Sequence, residues 1–329
     1  MSEVKLWEDG MIQVKISMSP PLRWVNSYIL RGSRGVTIID PGPKSETSIA
    51  EWTKVWGELG LNKDEITSVV LTHHHPDHYG LAGHIQAYTG ASVWMSRRAH
   101  AETKFMWGPG SHINEELPAL YRRHGMPPEW TSQLAAHLEG FLPQVLPEPI
   151  VSYLDEGVML EMGDRLWLPI ETGGHAPGHM SFYHRESRTM LCGDAVLPQI
   201  SPNISFLPGS DPQPLQSYTD AMLKLAAYEV DLAYPGHRHP FDYFRKRLED
   251  LLIHHEQRLN QIEEFLRENP RSAFEVCAYL FGDQLGIHQM RFAMSETLAH
   301  LIELIRQGRA FEEASLERVI YYPVLGRNE

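Results

Sequence analysis

Thr72-His73-His74-His75-Pro76-Asp77-His78-Tyr79-Gly80 decides how the rest of this chain is read. The stretch follows directly on ITSVVL at 66–71, an apolar, β-branched run that reads as a buried strand. The histidines therefore leave the carboxyl end of a strand, where α/β proteins gather their ligand sites. In an extended loop, residues i and i+2 face the same way. His73 and His75 can then share one cation while Asp77 and His78 turn toward a second. Imidazole mixed with carboxylate suits zinc, and iron and manganese are compatible with the same donors.

Outward from that loop, 25–30 and 35–39 read as strands, and Ile49, Trp52, Val55, Trp56 and Leu59 recur at helical spacing. A further short strand falls at 92–95. From 97 to about 150 the pattern becomes helical and is broken by WGPG, GMPP and LPEPI. This is an insertion, whose Phe105, Trp107, Tyr121 and Phe141 either line a pocket or pack as a cap. Strand patterns return at 165–170, 180–184 and 190–192. A Pro-rich loop, a helix around 218–228 and a last strand at 230–234 follow, the strand ending in PGHRH. Two β-rich halves, each ending in a histidine loop, predict a four-layer αββα sandwich of the α/β class.

After Pro240, Phe244, Leu248, Leu251, Leu252, Leu259, Ile262 and Leu266 keep helical periodicity until Asn269-Pro270. Ser272-Ala-Phe-Glu275 reads as a capping box, a third helix runs from about 289 to 305, and 309–311 with 318–322 form a hairpin. The expected division is a catalytic segment at 1–243 and a small, mainly helical, winged-helix-like segment at 244–329.

Composition narrows the functions. The net charge is −13 over 329 residues, and 244–329 holds 11 Lys and Arg against 14 Asp and Glu, so nucleic acid is a disfavoured partner. Two cysteines, outside any CxxC pair, suit a reducing cytoplasm. The N-terminal MSEVKLWEDG has no leader character and no run approaches the ~20 apolar residues of a membrane span. A homo-oligomer is compatible with this composition. No GxxxxGK[ST] or strand-linked GxGxxG is present.

Thr72–His78 resembles the THxHxDH signature of the metallo-β-lactamase superfamily. The other motifs follow in order: Asp40 in VTIIDPGP, the GGHAPGH stretch, Asp194 in LCGDAVLP and His237 in YPGHR. The resemblance implies that His73, His75 and His175 hold one metal, that Asp77, His78 and His237 hold another, and that Asp194 bridges them. It places Asp40 and His179 behind the ligands as orienting groups. It implies two divalent ions, Zn2+ first, and Asp77 as the residue that orients the nucleophile and shuttles its proton.

His74, His84, His100, His112, His124 and His137 have no partners at ligand spacing and are assigned structural roles. Cys192 lies on a buried strand without a base, so it is read as packing rather than as a nucleophile.

Leu197 stands where one lactonase branch has Tyr, and the region after His237 does not resemble the glutathione-binding part of glyoxalase II. GDAVLPQISPNISFLP, YPGHRHP and the HHEQRL helix are similar to a glyoxalase II-like bacterial branch of metallo-hydrolases. The function so implied is a binuclear hydrolase, a thioesterase or lactonase in class. A metal-bound hydroxide attacks the carbonyl of a small-molecule ester, thioester or lactone. The alternatives are a metal-dependent endoribonuclease, since a mammalian relative with a similar tail is one, and a non-catalytic metal-binding protein.

Overall fold

Short runs rich in Val, Ile and Tyr build two facing sheets, because successive side chains point to opposite faces and both faces are covered. The computed structural model describes residues 3–19, 22–282, 284–316 and 318–324. The outermost residues of the two expected segments, Met1 and Glu329 among them, lie outside these.

The first sheet takes β1 (Val4–Leu6), β2 (Ile12–Ser17), β3 (Trp24–Gly32), β4 (Gly35–Ile39), β5 (Ile66–Val70), β6 (Ser92–Ser96) and β7 (Val151–Leu154) in chain order. Pairing is antiparallel as far as β4 and parallel beyond it. The second sheet is ordered β12-β11-β10-β9-β8, from β8 (Leu160–Met162), β9 (Arg165–Glu171), β10 (Met180–His184), β11 (Thr189–Gly193) and β12 (Leu232–Pro235). β1, β2, β7 and β8 add to the strands expected from sequence. Three of them are sheet edges of three or four residues, too short to show a period. β2 does show one, with Ile12, Val14 and Ile16 inward.

Alternation sorts the cores. Val25, Ile29, Val36, Ile38 and Val69 face an outer helical layer, while Tyr28, Leu30, Ile39 and Val70 meet Trp167, Phe182, Leu191 and Tyr234 between the sheets. The outer layer is α1 (Glu46–Leu59), then the single turn α2 (Pro76–Tyr79) and α3 (Ala82–Thr89). Ser45 caps α1 by accepting from the Ser48 amide, and Gly60 ends it in the left-handed conformation. This gives the αββα order that the two histidine-ended halves predict.

The insertion forms α4 (Arg97–Trp107), α5 (Ile113–Arg123), α6 (Pro128–Glu139) and α7 (Leu142–Val145). Beyond the second sheet lie α8 (Pro214–Leu225), α9 (Phe244–Glu268), α10 (Ala273–Phe281) and α11 (Ile287–Arg306), followed by the hairpin β13 (Ala310–Ala314) and β14 (Val319–Pro323). The capping box at Ser272 and Glu275 is formed as expected. One apolar cluster runs from Leu117 and Leu134 in the insertion through Met222 of α8 to Leu259, Met290 and Leu298. The insertion thus packs onto the C-terminal helices, and Tyr121 Oη donates to the Arg291 carbonyl at 2.8 Å.

The sheets are tied together beside the site by Asn26, which is fully buried. Its amide donates to the carbonyls of Pro235 and Arg238, both at 2.9 Å, and its carbonyl accepts from Gln13 Nε2 at 2.9 Å. Asn26→Ala removes these three bonds and leaves Gln13 Nε2 and the Arg238 carbonyl without this partner, while the Pro235 carbonyl keeps the Tyr28 hydroxyl at 2.7 Å. A loss of about 1–3 kcal/mol in denaturant unfolding of chelator-treated protein is expected. A loss under ~0.5 kcal/mol would mean that the clamp contributes nothing.

Candidate metal centre

The candidate ligands sit on loops and one helical turn that follow the ends of strands, with both sheets contributing along one edge. β5 ends at Val70, and the chain runs extended through His73 to His75. Pro76 then occupies the first helical position of α2, where its fixed φ suits a helix start, and the turn swings Asp77 and His78 off the His73–His75 line. The second sheet supplies His175 and His179 from the β9–β10 loop, Asp194 just after β11 and His237 just after β12.

Three overlapping groups result, each with ligand atoms within 4.8 Å of one another: His73, His75 and His175; His73, His78 and Asp194; and Asp77, His78 and His237. His73 Nε2 lies 3.0 Å from His75 Nδ1. His237 Nε2 is 3.1 Å from Asp77 Oδ2 and 3.4 Å from Asp194 Oδ2. Asp194 also reaches His78 Nε2 at 3.4 Å and His175 Nε2 at 3.6 Å, so its carboxylate stands between the outer two groups. Gly236 makes room for it, because a Cβ there would lie 2.2 Å from Asp194 Oδ1.

Outer partners fix which nitrogen of each ring faces inward. Asp40 Oδ1 accepts from the Thr72 amide at 2.8 Å, and Oδ2 accepts from Thr72 Oγ1 at 2.7 Å and from His78 Nδ1 at 2.9 Å. Since Thr72 gives its hydroxyl proton to Asp40, its oxygen accepts from His73 Nδ1, 2.9 Å away. His175 Nδ1 donates to the Asn203 carbonyl at 2.8 Å and His237 Nδ1 to the Trp24 carbonyl at 3.0 Å. All four rings therefore aim Nε2 into the site. Asp40 is thus bonded to Thr72 at the start of the histidine loop and to His78 at its end. His179 has no nitrogen to spare: Nε2 accepts from the Asp194 amide at 3.0 Å and Nδ1 donates to Thr172 Oγ1 at 2.7 Å.

The inward atoms fit metal ions. His78 Nε2, His175 Nε2, His237 Nε2 and Asp194 Oδ1 are buried without a hydrogen-bond partner, whereas buried polar atoms are ordinarily paired. The charges divide the site. Burial, reinforced by neighbouring rings, holds His73 and His75 well below the usual imidazole range. At His237 burial works against the proton, but Asp194 and Asp77 outweigh it and push the ring up to about 10. His78 is likewise raised, against burial, by Asp194, Asp77 and Asp40. Burial disfavours the Asp194 charge, yet His237 and His78 hold the carboxyl well below its usual range.

Among the other histidines, His100 bonds to Tyr153 Oη, His124 to Tyr321 Oη and His255 to His300. His74 is buried, with its ring 4.8 Å from that of His75 and 5.8 Å from that of Trp107. Cys192 is fully buried, its thiol pushed up by burial, in keeping with a packing role. Sequence reasoning missed Trp24, Thr72 and Asn203. Two of these act through backbone carbonyls, which leave no trace in side-chain identity.

Comparison with known proteins places this geometry in a family. The sequence profile of the Metallo-beta-lactamase superfamily matches residues 22–237, and that of the Metallo-beta-lactamase-like, C-terminal domain matches residues 259–324. The Bacillus subtilis protein named "Probable metallo-hydrolase YqjP" is 26% identical over 310 residues, 91% of this chain and 93% of that one. Hydroxyacylglutathione hydrolase GloC of Haemophilus influenzae is 28% identical over 170 residues, 52% of this chain and 65% of that one. The crystal structure of a metallo-beta-lactamase family protein from Thermus thermophilus aligns with a TM-score of 0.83 at 30% identity, covering 96% of this chain and 99% of that one. With fold, loop-borne ligands and a profile match over most of its length in agreement, the chain belongs to the metallo-beta-lactamase superfamily.

Proposed function

We propose that this protein is a two-metal hydrolase that cleaves the acyl bond of a small-molecule thioester, carboxyl ester or lactone. One observation carries the reading: two three-residue groups, His73/His75/His175 and Asp77/His78/His237, stand on either side of Asp194 with inward-facing atoms left unpartnered. Three residues per ion leave room for water and substrate, which a closed structural site does not. The donor set suits Zn2+ best, and iron or manganese are compatible. Such ions, when bound, supply Lewis acidity toward a carbonyl and bring the pKa of water down toward ~7.

The protein's own groups divide the remaining work. Asp77 keeps 20% of its side chain exposed against 8% for Asp194, so it is the carboxylate with access to solvent. There it orients the attacking water and carries the proton to the leaving group. Asp194 joins the two halves. His179 holds the Asp194 backbone, and Asp40 and Asn203 hold the rings.

The Haemophilus relative's name supports a thioester over other acyl bonds; glutathione is not carried over, because that match spans about half of this chain. An RNA substrate is the weaker reading, since 244–329 is net acidic and β13 presents Glu312 and Glu313 outward. No described helix is long and apolar enough to cross a membrane, and the two buried, unpaired cysteines suit a cytoplasmic setting.

A panel of acyl-CoA and glutathione thioesters, lactones, a β-lactam, phosphodiesters and RNA tests the reading with metal-replete protein. Thioester or ester turnover is expected, and Asp77→Asn should lower it ~10²–10⁴-fold. Cleavage of RNA alone would replace the acyl hydrolase with a nuclease, and inertness throughout would leave a metal-binding protein.

His78 and His237 hold protons that a cation must displace. Zn2+ added to metal-free protein in weak buffer near pH 7 should therefore release protons, and affinity should rise with pH toward the His237 value of about 10. Uptake without acidification would contradict this charge assignment. Asn203→Gly keeps the carbonyl that His175 meets but removes the side-chain amide bonds to Glu296 and to the Phe292 carbonyl that hold it in place, so metal binding should weaken by ~10–100-fold in competition with a chelator; unchanged affinity would mean that the Asn203 side chain does not position that carbonyl.

A further inference from the structure

The insertion and α11 meet around an arginine that no acidic group among the described residues pairs with. Arg291 is 9% exposed, and no other arginine or lysine among the described residues is buried to that degree. Among those residues its guanidinium makes no ion pair and no hydrogen bond, and its Nε is wholly buried without a partner. Three half-buried arginines are matched, Arg258 with Glu296 at 2.8 Å, Arg309 with Glu263 at 2.7 Å and Arg247 with the Leu197 carbonyl at 2.6 Å, and the half-buried Arg238, whose Nε also lacks a partner, is less deeply enclosed than Arg291. A cation removed from water without a counter-charge is costly, and the aromatic faces beside it offset only part of that cost.

Aromatic and imidazole side chains surround Arg291. The guanidinium carbon lies 4.1 Å from the Phe292 ring centre and 5.6 Å from that of Phe141, so one residue of α11 and one of the insertion frame it with aromatic faces. His137 and His288 stand beside it, 3.4 Å apart between ring nitrogens. Burial and the Arg291 charge keep both toward their neutral forms, able to donate a hydrogen bond without adding a fixed charge.

The carbonyl of Phe292 accepts from the Asn203 side-chain amide, and the backbone carbonyl of Asn203 holds His175, so a single residue joins α11 to the metal-facing ring. Tyr121 Oη fixes the Arg291 carbonyl, which leaves the side chain as the free element.

We propose that Arg291, framed by Phe141 and Phe292, binds an anionic group of the substrate, a carboxylate or a phosphate, at a point remote from the bond that is cleaved. The planar fork of arginine matches both oxyanions, and its low hydration suits a buried position. The inference rests on the acyl hydrolase reading and narrows it to acidic substrates. On a chain with a net charge of −13, one enclosed cation gives such a substrate a defined place to dock.

Two matched pairs of thioesters test it: succinyl against butyryl N-acetylcysteamine, which differ in an acyl-end carboxylate, and acetyl phosphopantetheine against acetyl pantetheine, which differ in a leaving-group phosphate. The wild-type protein should prefer the anionic member of one pair, and the responding pair tells which end carries the charge. Arg291→Met should lower that preference, the ratio of kcat/KM values, at least tenfold through KM, and Arg291→Lys should recover part of it. A residue that merely packs α11 would lower both members together and leave the ratio unchanged, which overturns the proposal, as does a wild-type ratio of one in both pairs. Should Arg291→Met not fold, Arg291→Lys carries the same comparison, because it keeps the charge and loses the fork.

If nothing is turned over, the hydrolase reading fails by itself. Calorimetric titration of succinate and of inorganic phosphate into metal-replete wild-type and variant protein then decides the arginine. Binding weakened tenfold or more by the substitution supports the site, and equal affinities sink it.

Discussion

A buried carboxylate in an uncommon backbone conformation holds the centre together. Asp40 ends β4 with φ at 50°, a left-handed value that asparagine and aspartate accept more readily than other side chains, and it is 2% exposed. Burying a carboxylate costs several kcal/mol unless its lone pairs are met, and here three donors meet them. β4 and β5 run parallel and adjacent, so Asp40 comes to lie beside the start of the histidine loop. Through Thr72 it sets the proton on His73, and directly it sets the proton on His78. One ring from each half of the site thus depends on a single residue outside the ligand groups.

With the tautomers fixed, the inward atoms repel or attract one another according to what each can give up. His73, His75 and His175 converge as neutral rings whose burial keeps protons away. Asp77, Asp194, His78 and His237 instead form a close network of opposite charges, open to solvent at Asp77. The first half needs to lose nothing to accept a cation, and the second must part with protons that its carboxylates hold. The two halves therefore respond differently to pH, although they are joined through Asp194.

What was legible in the sequence was local. Thr72–His78 shows its chemistry because the strand period and the spacing of the side chains lie within a short stretch. The capping box, the helical period of α9 and the terminal hairpin were visible for the same reason. The supports of the site were not. Trp24 serves His237 by a backbone carbonyl, and Asn26 clamps the distant loop that begins at Pro235. Arg291 stands out for combining burial with an unpartnered Nε, which no reading of one chain position reveals. The insertion was readable as helical, but its placement against α11 depends on contacts between segments far apart in sequence.

Those distant contacts make α11 part of the centre rather than an appendage. Asn203 gives its carbonyl to His175, while its amide donates to Glu296 Oε2 at 2.8 Å and to the Phe292 carbonyl at 3.3 Å. Glu296 is itself buried, which raises its pKa, and Arg258 from α9 and the Asn203 amide oppose that shift. Because one apolar cluster encloses α8, the insertion and the C-terminal helices, this chain of contacts has little room to relax. A displacement of α11 would therefore act on His175 through Asn203 and on the Arg291 side chain directly. The same helix supports His175 through Asn203 and carries the enclosed Arg291, which ties the geometry of the metal centre to that of the buried cation.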